Sequence, residues 1–356
     1  MPVTLWLLIH KIKCFRMHFK LRFLVAVIML SAGWCSCRNN KAPDVSGIKV
    51  PLTVKRFEKD FFAIDSNNIA AQLDAVIAKY PSFGEVFMAN VLGVNPRWGG
   101  DTTANYVKGF LNAYRPVMDS AEKVFSDFSP YEKQIQKGLQ YTKYYFPQYK
   151  VPSRIITYIG PLDGYGDILD ADVIIVGLHQ HLGKSFSMYA ANWVRETYPD
   201  YITERFTPDY IPVNAMKNIV SDLYPEKIED KSLVIQMVEK GKRLYLLQKL
   251  LPATKPAVLI GYTDLQWKAC MERQRIIWDL FLQNNILQTI DYNVIKDYVG
   301  EGPKTQELGE GAPGNIGSFT GWQIVNKFME KYPDTKLPEL MSMDADELFQ
   351  KAKYKP

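Results

Sequence analysis

Apolar residues recur at helical spacing through most of the chain after residue 60. In segment 69–79, Leu73, Val76 and Ile77 share one face, which predicts a helix that begins after the polar cluster 66–68. Ser129 as N-cap, with Pro130 after it, predicts the start of another helix, over 129–145. The same spacing predicts helices over 84–126 (with a break at 93–100), 185–196, 212–223, 229–250, 263–284 and 316–331.

Runs of β-branched and apolar residues predict strands at three places in the N-terminal half. These runs are 50–57, 154–159 and 172–177, and the third is typical of a buried strand. The link 160–167 is rich in Gly and Asp and predicts a turn-rich loop. We therefore predict one α+β domain over 50–356, mostly helical, with a small sheet in its N-terminal half.

The first 37 residues have the organisation of an export signal. Lys20 and Arg22 precede the apolar run 23–30, and small residues follow it. This run is shorter than the roughly 20 apolar residues that cross a bilayer. Met17 is a plausible true start, because the segment from Met17 to Cys37 alone has the usual length of a signal peptide.

Two cysteines at the end of this segment are candidates for lipidation. Lipoprotein processing needs a small residue before the modified cysteine; Ser36 precedes Cys37, whereas the bulky Trp34 precedes Cys35. We predict lipidation of Cys37, with Cys35 as second choice, and a flexible tether over 38–49. The alternative is an ordinary secretory signal that leaves both cysteines unmodified.

A lipid anchor with several acyl chains would hold the domain permanently on a membrane of the cell envelope. The sequence after Cys37 lacks the acidic run that would hint at surface export. We therefore expect the lipid to hold the domain on the periplasmic face of the outer membrane.

The formal net charge of +5 says little about the partners of the folded domain, because five cations before Cys37 supply all of it. The remaining chain has no cation excess, which argues against a broad nucleic-acid-binding surface.

His179 and His181 are the only histidines after Cys37. In an extended segment they would project from one face and form a two-ligand metal site, with Asp222 or Glu239 as a third ligand. The alternative is a pair of surface or hydrogen-bonding histidines at a strand end, and we predict no bound metal and no cofactor. With Trp322, these four residues are our candidates for a partner or ligand cleft.

Other motifs leave alternatives open. The acidic loop holding Asp163, Asp167, Asp170 and Asp172 would suit calcium, but a solvated turn has the same composition. Segment 300–317 is long and irregular, so it either closes over a cleft or packs on the C-terminal helix as a surface loop. There is no Gly-x-Ser-x-Gly elbow for a serine nucleophile. A carboxylate pair for hydrolysis depends on spatial rather than sequential spacing and stays open.

Several short segments together resemble the gliding motility lipoprotein GldB family of Bacteroidetes. They are VKRFEKDFF (54–62), YYFP (144–147), VGLHQHLGK (176–184), MVEKGKRLYLL (237–247), LP (251–252), IGYT (260–263), PGNIG (313–317) and GWQIV (321–325). The resemblance implies a cell-envelope lipoprotein tied to surface motility or its secretion apparatus. Its expected partners are the membrane, through the lipid, and other envelope or motility proteins, with no nucleic acid.

The layout also resembles predicted zinc proteases, in which a His-Glu-x-x-His helix precedes a helix with Glu-Gly. That chemistry needs two histidines one turn apart and a water-activating glutamate. Here the first helix, 212–224, contains no histidine, and Lys240-Gly241 stands in place of Glu-Gly. We therefore predict a zincin-like helix arrangement without the metal site: a binding or scaffold protein and a pseudoenzyme. An envelope hydrolase that uses unrecognised residues is the alternative.

Overall fold

Four short strands form the only sheet in the part of the chain that the structure describes. The structure is a computed structural model and describes residues 42–356. The strands are β1 (Thr53–Arg56), β2 (Arg154–Tyr158), β3 (Ile168–Asp170) and β4 (Val173–Gly177), in the order β1-β2-β4-β3. β1, β2 and β4 run parallel, and β3 is antiparallel to β4. Because β4 is buried on both faces, it is apolar along its whole length.

Helices make up most of the remainder. They are α1 (Phe57–Phe62), α2 (Ile69–Lys79), α3 (Gly84–Val86), α4 (Gly100–Ala113), α5 (Arg115–Val124), α6 (Ser129–Tyr145), α7 (Asn192–Thr197), α8 (Asp200–Thr203), α9 (Tyr210–Leu223), α10 (Leu233–Leu250), α11 (Pro256–Ile260), α12 (Asp264–Glu272), α13 (Gln274–Gln283), α14 (Tyr292–Val299), α15 (Ile316–Lys331), α16 (Leu337–Ser342) and α17 (Ala345–Ala352). Short 3-10 turns occur at Leu178–Gln180, Ser187–Ala190 and Gln306–Leu308, and a π turn follows α3 at Phe87–Val91. Among residues 42–356, none of these helices has the length and apolarity to cross a bilayer.

Aromatic side chains pack the sheet against the first helices. Phe57 lies at the centre, with ring centroids 5.0 Å from Phe83 and 4.7 Å from Phe87. Tyr158 of β2 extends the cluster, with its ring centroid 5.5 Å from that of Phe83. Edge-on contacts of this kind add to the burial of large rings, so this cluster holds the N-terminal half together.

A buried ion pair lies beside the aromatic cluster. The Glu58 side chain is fully buried, and the Arg56 Nε donates to its carboxylate at 2.6 Å. The Thr157 hydroxyl donates to the second carboxylate oxygen at 2.6 Å. Both oxygens therefore have strong donors, as a buried charge requires.

The C-terminal half is organised by the crossing of α10 and α15. A Cβ added at Gly241 would overlap the backbone of Gly321, and one added at Gly321 would overlap the Met237 carbonyl. Only glycine at these positions lets the two backbones touch. The consequence is a fixed spacing between the side chains that flank the crossing on each helix.

The predicted mostly helical α+β fold with a small N-terminal sheet is confirmed. Segment 69–79 is helical over the predicted residues, as is 316–331. Ser129 is the first helical residue rather than the N-cap, because Asp127 accepts its backbone N–H at 2.9 Å. The predicted helix 263–284 is interrupted at Arg273, giving α12 and α13. β3 is a strand that we did not predict.

The predicted tether 38–49 is too long at its C-terminal end. Residues 44–356 form one compact unit. Val45 is fully buried, and the Gln140 side-chain amide donates to the Ile48 carbonyl at 2.9 Å. The apolar side chains in this stretch are better buried than solvated, so the folded body begins near residue 44. Cys35, Cys37 and the predicted signal segment lie outside the described residues.

Candidate functional site

His179 is fully buried in the turn after β4, and both of its ring nitrogens have protein partners. Nδ1 accepts the Gly160 N–H at 3.1 Å, and Nε2 lies 3.0 Å from the Tyr165 carbonyl oxygen. Because an amide can only donate, Nδ1 carries no proton and Nε2–H donates to Tyr165. Burial lowers the pKa of His179 to about 4. The ring is therefore neutral and ties the loop 160–167 to the end of β4.

His181 lies in the same turn and pairs with the buried carboxylate of Asp167. Nε2 is 2.8 Å from Asp167 Oδ2, and Nδ1 is 3.1 Å from the Thr207 carbonyl oxygen. Asp167 also accepts the Asn214 amide at 2.9 Å and the Gly177 N–H at 3.0 Å. These contacts join the loop, the sheet and α9 into one buried hydrogen-bonded network.

The expectation of an extended segment at this point is wrong, since His179 lies within a 3-10 turn, Leu178–Gln180, and His181 follows it, so the two rings have different partners. Within residues 42–356, no three His, Cys, Asp or Glu residues lie together as metal ligands would. The four aspartates of the acidic loop, for which calcium and a solvated turn were the alternatives, do not converge on one point either. Asp167 is held by His181, whereas Asp172 pairs with Arg154 at 2.8 Å.

The remaining predicted cleft residues lie in separate places. Asp222 is at the surface, where its carboxylate accepts the Tyr149 hydroxyl at 2.6 Å. The Glu239 carboxylate pairs with the Lys242 ammonium at 2.8 Å. Trp322 is 1% exposed and packs on Trp267, with ring centroids 5.3 Å apart. Glu239 lines a cavity of about 620 Å³, whereas the two histidines and Trp322 are buried in the interior. A role of the five residues in binding a partner stays a prediction.

A cleft of different composition runs between α9, α10 and the start of α15. It consists of three adjoining cavities of about 620, 250 and 330 Å³. The central cavity of 250 Å³ is lined by Lys217 and Ser221 of α9, by Lys240 and Arg243 of α10, and by Ser318 of α15. Lys217 and Ser221 are one helical turn apart and therefore share a face.

Lys217 is the unusual charge in this cavity. Within residues 42–356, its ammonium has no hydrogen-bond or ion-pair partner. Burial is the main cause that lowers the pKa of Lys217 to about 8; the Arg205 guanidinium lowers it further, and the Glu301 carboxylate acts in the opposite direction. The Lys217 side chain is half-buried, so its ammonium is partly desolvated and an opposite charge in the cavity would stabilise it.

The other cations at the cavity are ion-paired. The Lys240 ammonium lies 2.9 Å from both Glu226 carboxylate oxygens, and Arg243 Nε lies 3.3 Å from one of them. Arg243 also donates to the Ser221 hydroxyl at 2.6 Å. Arg205 and Glu301 form a two-point ion pair at 3.0 and 3.3 Å. Lys217 is thus the one cation at the central cavity for which the described residues provide no direct partner.

The first turn of α15 faces the same cavity. Its N-cap, Asn315, has a left-handed backbone (φ 56°), and its side chain makes no capping hydrogen bond. The Asn315 Oδ1 and the Ser318 hydroxyl are buried and have no partner among the described residues. Ser318 is only 2% exposed. The first backbone N–H groups of a helix lack intrahelical acceptors and carry the positive end of its dipole.

The irregular segment 300–317 supplies one wall of the cleft and is packed rather than free. The buried Thr305 hydroxyl donates to the Pro313 carbonyl at 2.8 Å, and the Tyr262 hydroxyl donates to the Gly314 carbonyl at 2.8 Å. Glu301 and Asn315, at its two ends, line both the 250 and the 330 Å³ cavities. The segment is therefore packed against Tyr262 and borders the cleft with its two ends, and its closure over the cleft stays a prediction.

Several carboxylates along the cleft are occupied, whereas those of Glu204 and Asp346, which also line it, have no partner among the described residues. Glu226 and Glu239 are ion-paired, and Asp344 caps α17 by accepting the Asp346 N–H at 2.9 Å and the Glu347 N–H at 3.0 Å. A carboxylate engaged in this way is a weak general base.

Sequence reasoning missed Lys217, Asn315 and Ser318 as site residues. The available signal was a lysine at an inward position of α9, flanked by Val213 and Val220 at i−4 and i+3. Nothing local in the sequence links Lys217 to Ser318, which comes from a helix about a hundred residues later.

Comparison with known proteins gives one match and two negative results. The family model described as gliding motility protein GldB matches residues 38–356, which is most of the chain. No curated protein matches the chain. No solved structure matches it, so the likeness to zinc proteases stays a prediction. With a family match of this extent, the chain belongs to the gliding motility protein GldB family.

Proposed function

We propose that this protein is a lipid-anchored component of the cell envelope that acts in gliding motility or its secretion machinery by binding a partner. The observation that carries the proposal is the family match, which begins at residue 38, directly after Cys37. A lipidated Cys37 would then be the first residue of the mature chain. The lipid would hold the body on the periplasmic face of the outer membrane.

The hydrogen bonds and ion pairs of the polar side chains favour binding over catalysis. The two histidines are held in buried hydrogen bonds, and four carboxylates of the cleft are paired or act as a helix cap. A general base needs a free lone pair within reach of a substrate proton. We therefore propose a scaffold role in which the cleft beside α15 contacts the partner.

Membrane fractionation with single cysteine variants tests the anchor. The wild-type protein and Cys35→Ala should sediment with membranes and carry acyl chains on Cys37 by intact mass. Cys37→Ala should lose the acyl chains and move to the soluble or inner-membrane fraction. Acylation that persists in Cys37→Ala would overturn the assignment.

Affinity capture from envelopes tests the scaffold role. We expect the lipidated form to capture proteins that Cys37→Ala does not capture. Surface motility or secretion should be lost in parallel in Cys37→Ala. Peptide hydrolysis by the purified protein at catalytic rates, abolished by a cleft substitution, would replace the binding role with an enzymatic one.

A further inference from the structure

We propose that the 250 Å³ cavity between α9, α10 and α15 binds a carboxylate group that carries a small apolar substituent. The Lys217 ammonium would supply the charge, and the Ser318 hydroxyl and the first N–H groups of α15 would donate hydrogen bonds. This inference rests on the proposed function in one respect, namely that the cleft is where a partner binds.

Lys217 and Ser318 are unpartnered donors of the cavity that an anion completes, whereas the unpartnered Asn315 Oδ1 is an acceptor that an anion does not satisfy. Lys217 has no partner within residues 42–356, and the Ser318 hydroxyl, 2% exposed, has none either. Both line the cavity together with Asn315, the N-cap residue of α15, whose side chain makes no capping hydrogen bond. An ammonium, a hydroxyl and helix N-terminal amides are all donors, so their common ligand is an oxyanion.

The charges around the cavity leave it positive. Glu226 pairs with both Lys240 and Arg243, and Glu301 pairs with Arg205. With Lys217, four cations therefore face two carboxylates, so the cavity favours an anion over a neutral ligand. What selects a carboxylate among anions is the apolar part of the lining.

The remaining wall determines what the carboxylate is attached to. The rest of the cavity lining is apolar and comes from α9, α10 and α11. They are Val220, Leu244, Leu247, Leu259 and Ile260. Burial of an aliphatic group of a few carbons against them is favourable. Free short-chain carboxylic acids and peptide C-termini with an aliphatic last residue share this chemistry.

Calorimetric titration of the mature full-length lipoprotein in detergent tests the proposal. The probes are 4-methylpentanoate, its neutral amide, the acetylated tripeptide Ala-Ala-Leu with a free C-terminus, and the same tripeptide amidated. We expect each carboxylate to bind at least tenfold more tightly than its amide, because the amide lacks the charge that Lys217 requires. If 4-methylpentanoate binds and the tripeptide does not, the natural ligand is a small carboxylic acid. If the tripeptide with the free C-terminus binds more tightly, the natural ligand is the C-terminus of a peptide chain. Inorganic phosphate should bind more weakly than either carboxylate.

Two variants locate the site. Lys217→Met should abolish the preference for carboxylate over amide, and Ser318→Ala should weaken carboxylate binding several-fold. Lys268→Met, at an exposed position of α12, is the matched control and should leave binding unchanged. Equal binding of carboxylate and amide by the wild type, or unchanged binding in Lys217→Met, would refute the site.

A measurement on the wild-type protein covers the case in which a variant fails to fold. Saturating 4-methylpentanoate should slow acetylation of Lys217 by acetic anhydride at least several-fold, as followed by peptide mass spectrometry, with Lys268 unaffected. Absence of protection would count against the proposal. Because no step here involves Cys37 or motility, failure of this experiment removes the ligand and leaves the anchored role to its own tests.

Discussion

Gly241 of α10 lies directly against the backbone of Gly321 of α15, with no room for a Cβ atom on either residue. This contact sets the distance between the two helices. Lys240 precedes the first glycine, and Ser318 lies one turn before the second, so both reach the 250 Å³ cavity. The two glycines therefore determine the width of the candidate site.

Replacement of Gly321 by alanine should destabilise the protein strongly. The new methyl group would overlap the Met237 carbonyl, which is backbone and has no rotamer to escape into. We expect a loss of roughly 2–4 kcal/mol in the free energy of unfolding, typical of overpacking against a rigid neighbour. Urea denaturation measures it.

Gly109→Ala is the matched control for this substitution. Gly109 is exposed within α4, and a Cβ there meets nothing within 4 Å. Alanine is the better helix former, so we expect a gain of roughly 0.5–1 kcal/mol. Similar effects of the two substitutions would mean that the helices do not touch at Gly321.

Lys217→Met should make the protein more stable at neutral pH. The folded pKa of Lys217 is lowered from 10.5 to about 8, so the folded state holds the charge at a cost below pH 8. That cost disappears as pH rises through 8 towards 10.5, where the unfolded chain also loses the proton. Partial exposure reduces the effect to roughly 1–3 kcal/mol.

The gain from Lys217→Met is best measured as a difference in the free energy of unfolding at pH 7 and pH 10. The difference between variant and wild type should be largest at pH 7 and shrink at pH 10. A variant that is less stable than the wild type at pH 7 would show that Lys217 has a structural partner.

His179 should make the protein sensitive to mild acid. Its folded pKa is lowered from 6.5 to about 4, so between these values the unfolded chain binds a proton that the folded chain does not. The stability that depends on the neutral ring is complete above pH 6.5 and is lost as pH falls to 4, by about 3 kcal/mol.

Comparison of the wild type with His179→Gln isolates the contribution of His179 to the pH dependence of stability. His181 and Asp167 are present in both proteins, so their contributions cancel. The free energy of unfolding is measured from pH 7 to pH 4 in each. The wild type should lose more stability over this range than the variant does. Identical pH profiles would mean that His179 is accessible to protons in the folded state.

Arg56→Met should be costly because it leaves the Glu58 carboxylate buried without a cation. Loss of one partner of a buried pair costs about 3–5 kcal/mol. Adding Glu58→Gln to the variant should recover part of the loss, since a neutral amide needs no counter-charge. Lys351→Met, which removes the exposed pair with Glu347, should change stability by less than about 1 kcal/mol.

The fold was largely predictable because its signals are local. The helical spacing at 69–79 and 316–331 survives in the structure, and the apolar run of β4 is buried as expected. The break at Arg273 was not predictable, since no proline or glycine marks it. β3 has only three residues, too few for a pattern of alternation to appear.

The candidate site was much less predictable. Trp322 and the two histidines were candidates because of their chemistry, but all three side chains are buried in the interior. Lys217 and Ser318 are ordinary in sequence and become unusual only when α9 and α15 are brought together without partners for their polar atoms. Such a site depends on tertiary packing, which one sequence does not encode locally.

The burial of Val45 sets how far the body can stand from the bilayer. If the lipid is on Cys37, only residues 38–44 separate the anchor from the packed chain. At about 3.5 Å per extended residue, these seven residues span at most about 25 Å. A longer inserted linker should therefore increase the distance from the bilayer at which the body can bind a partner, without altering the fold.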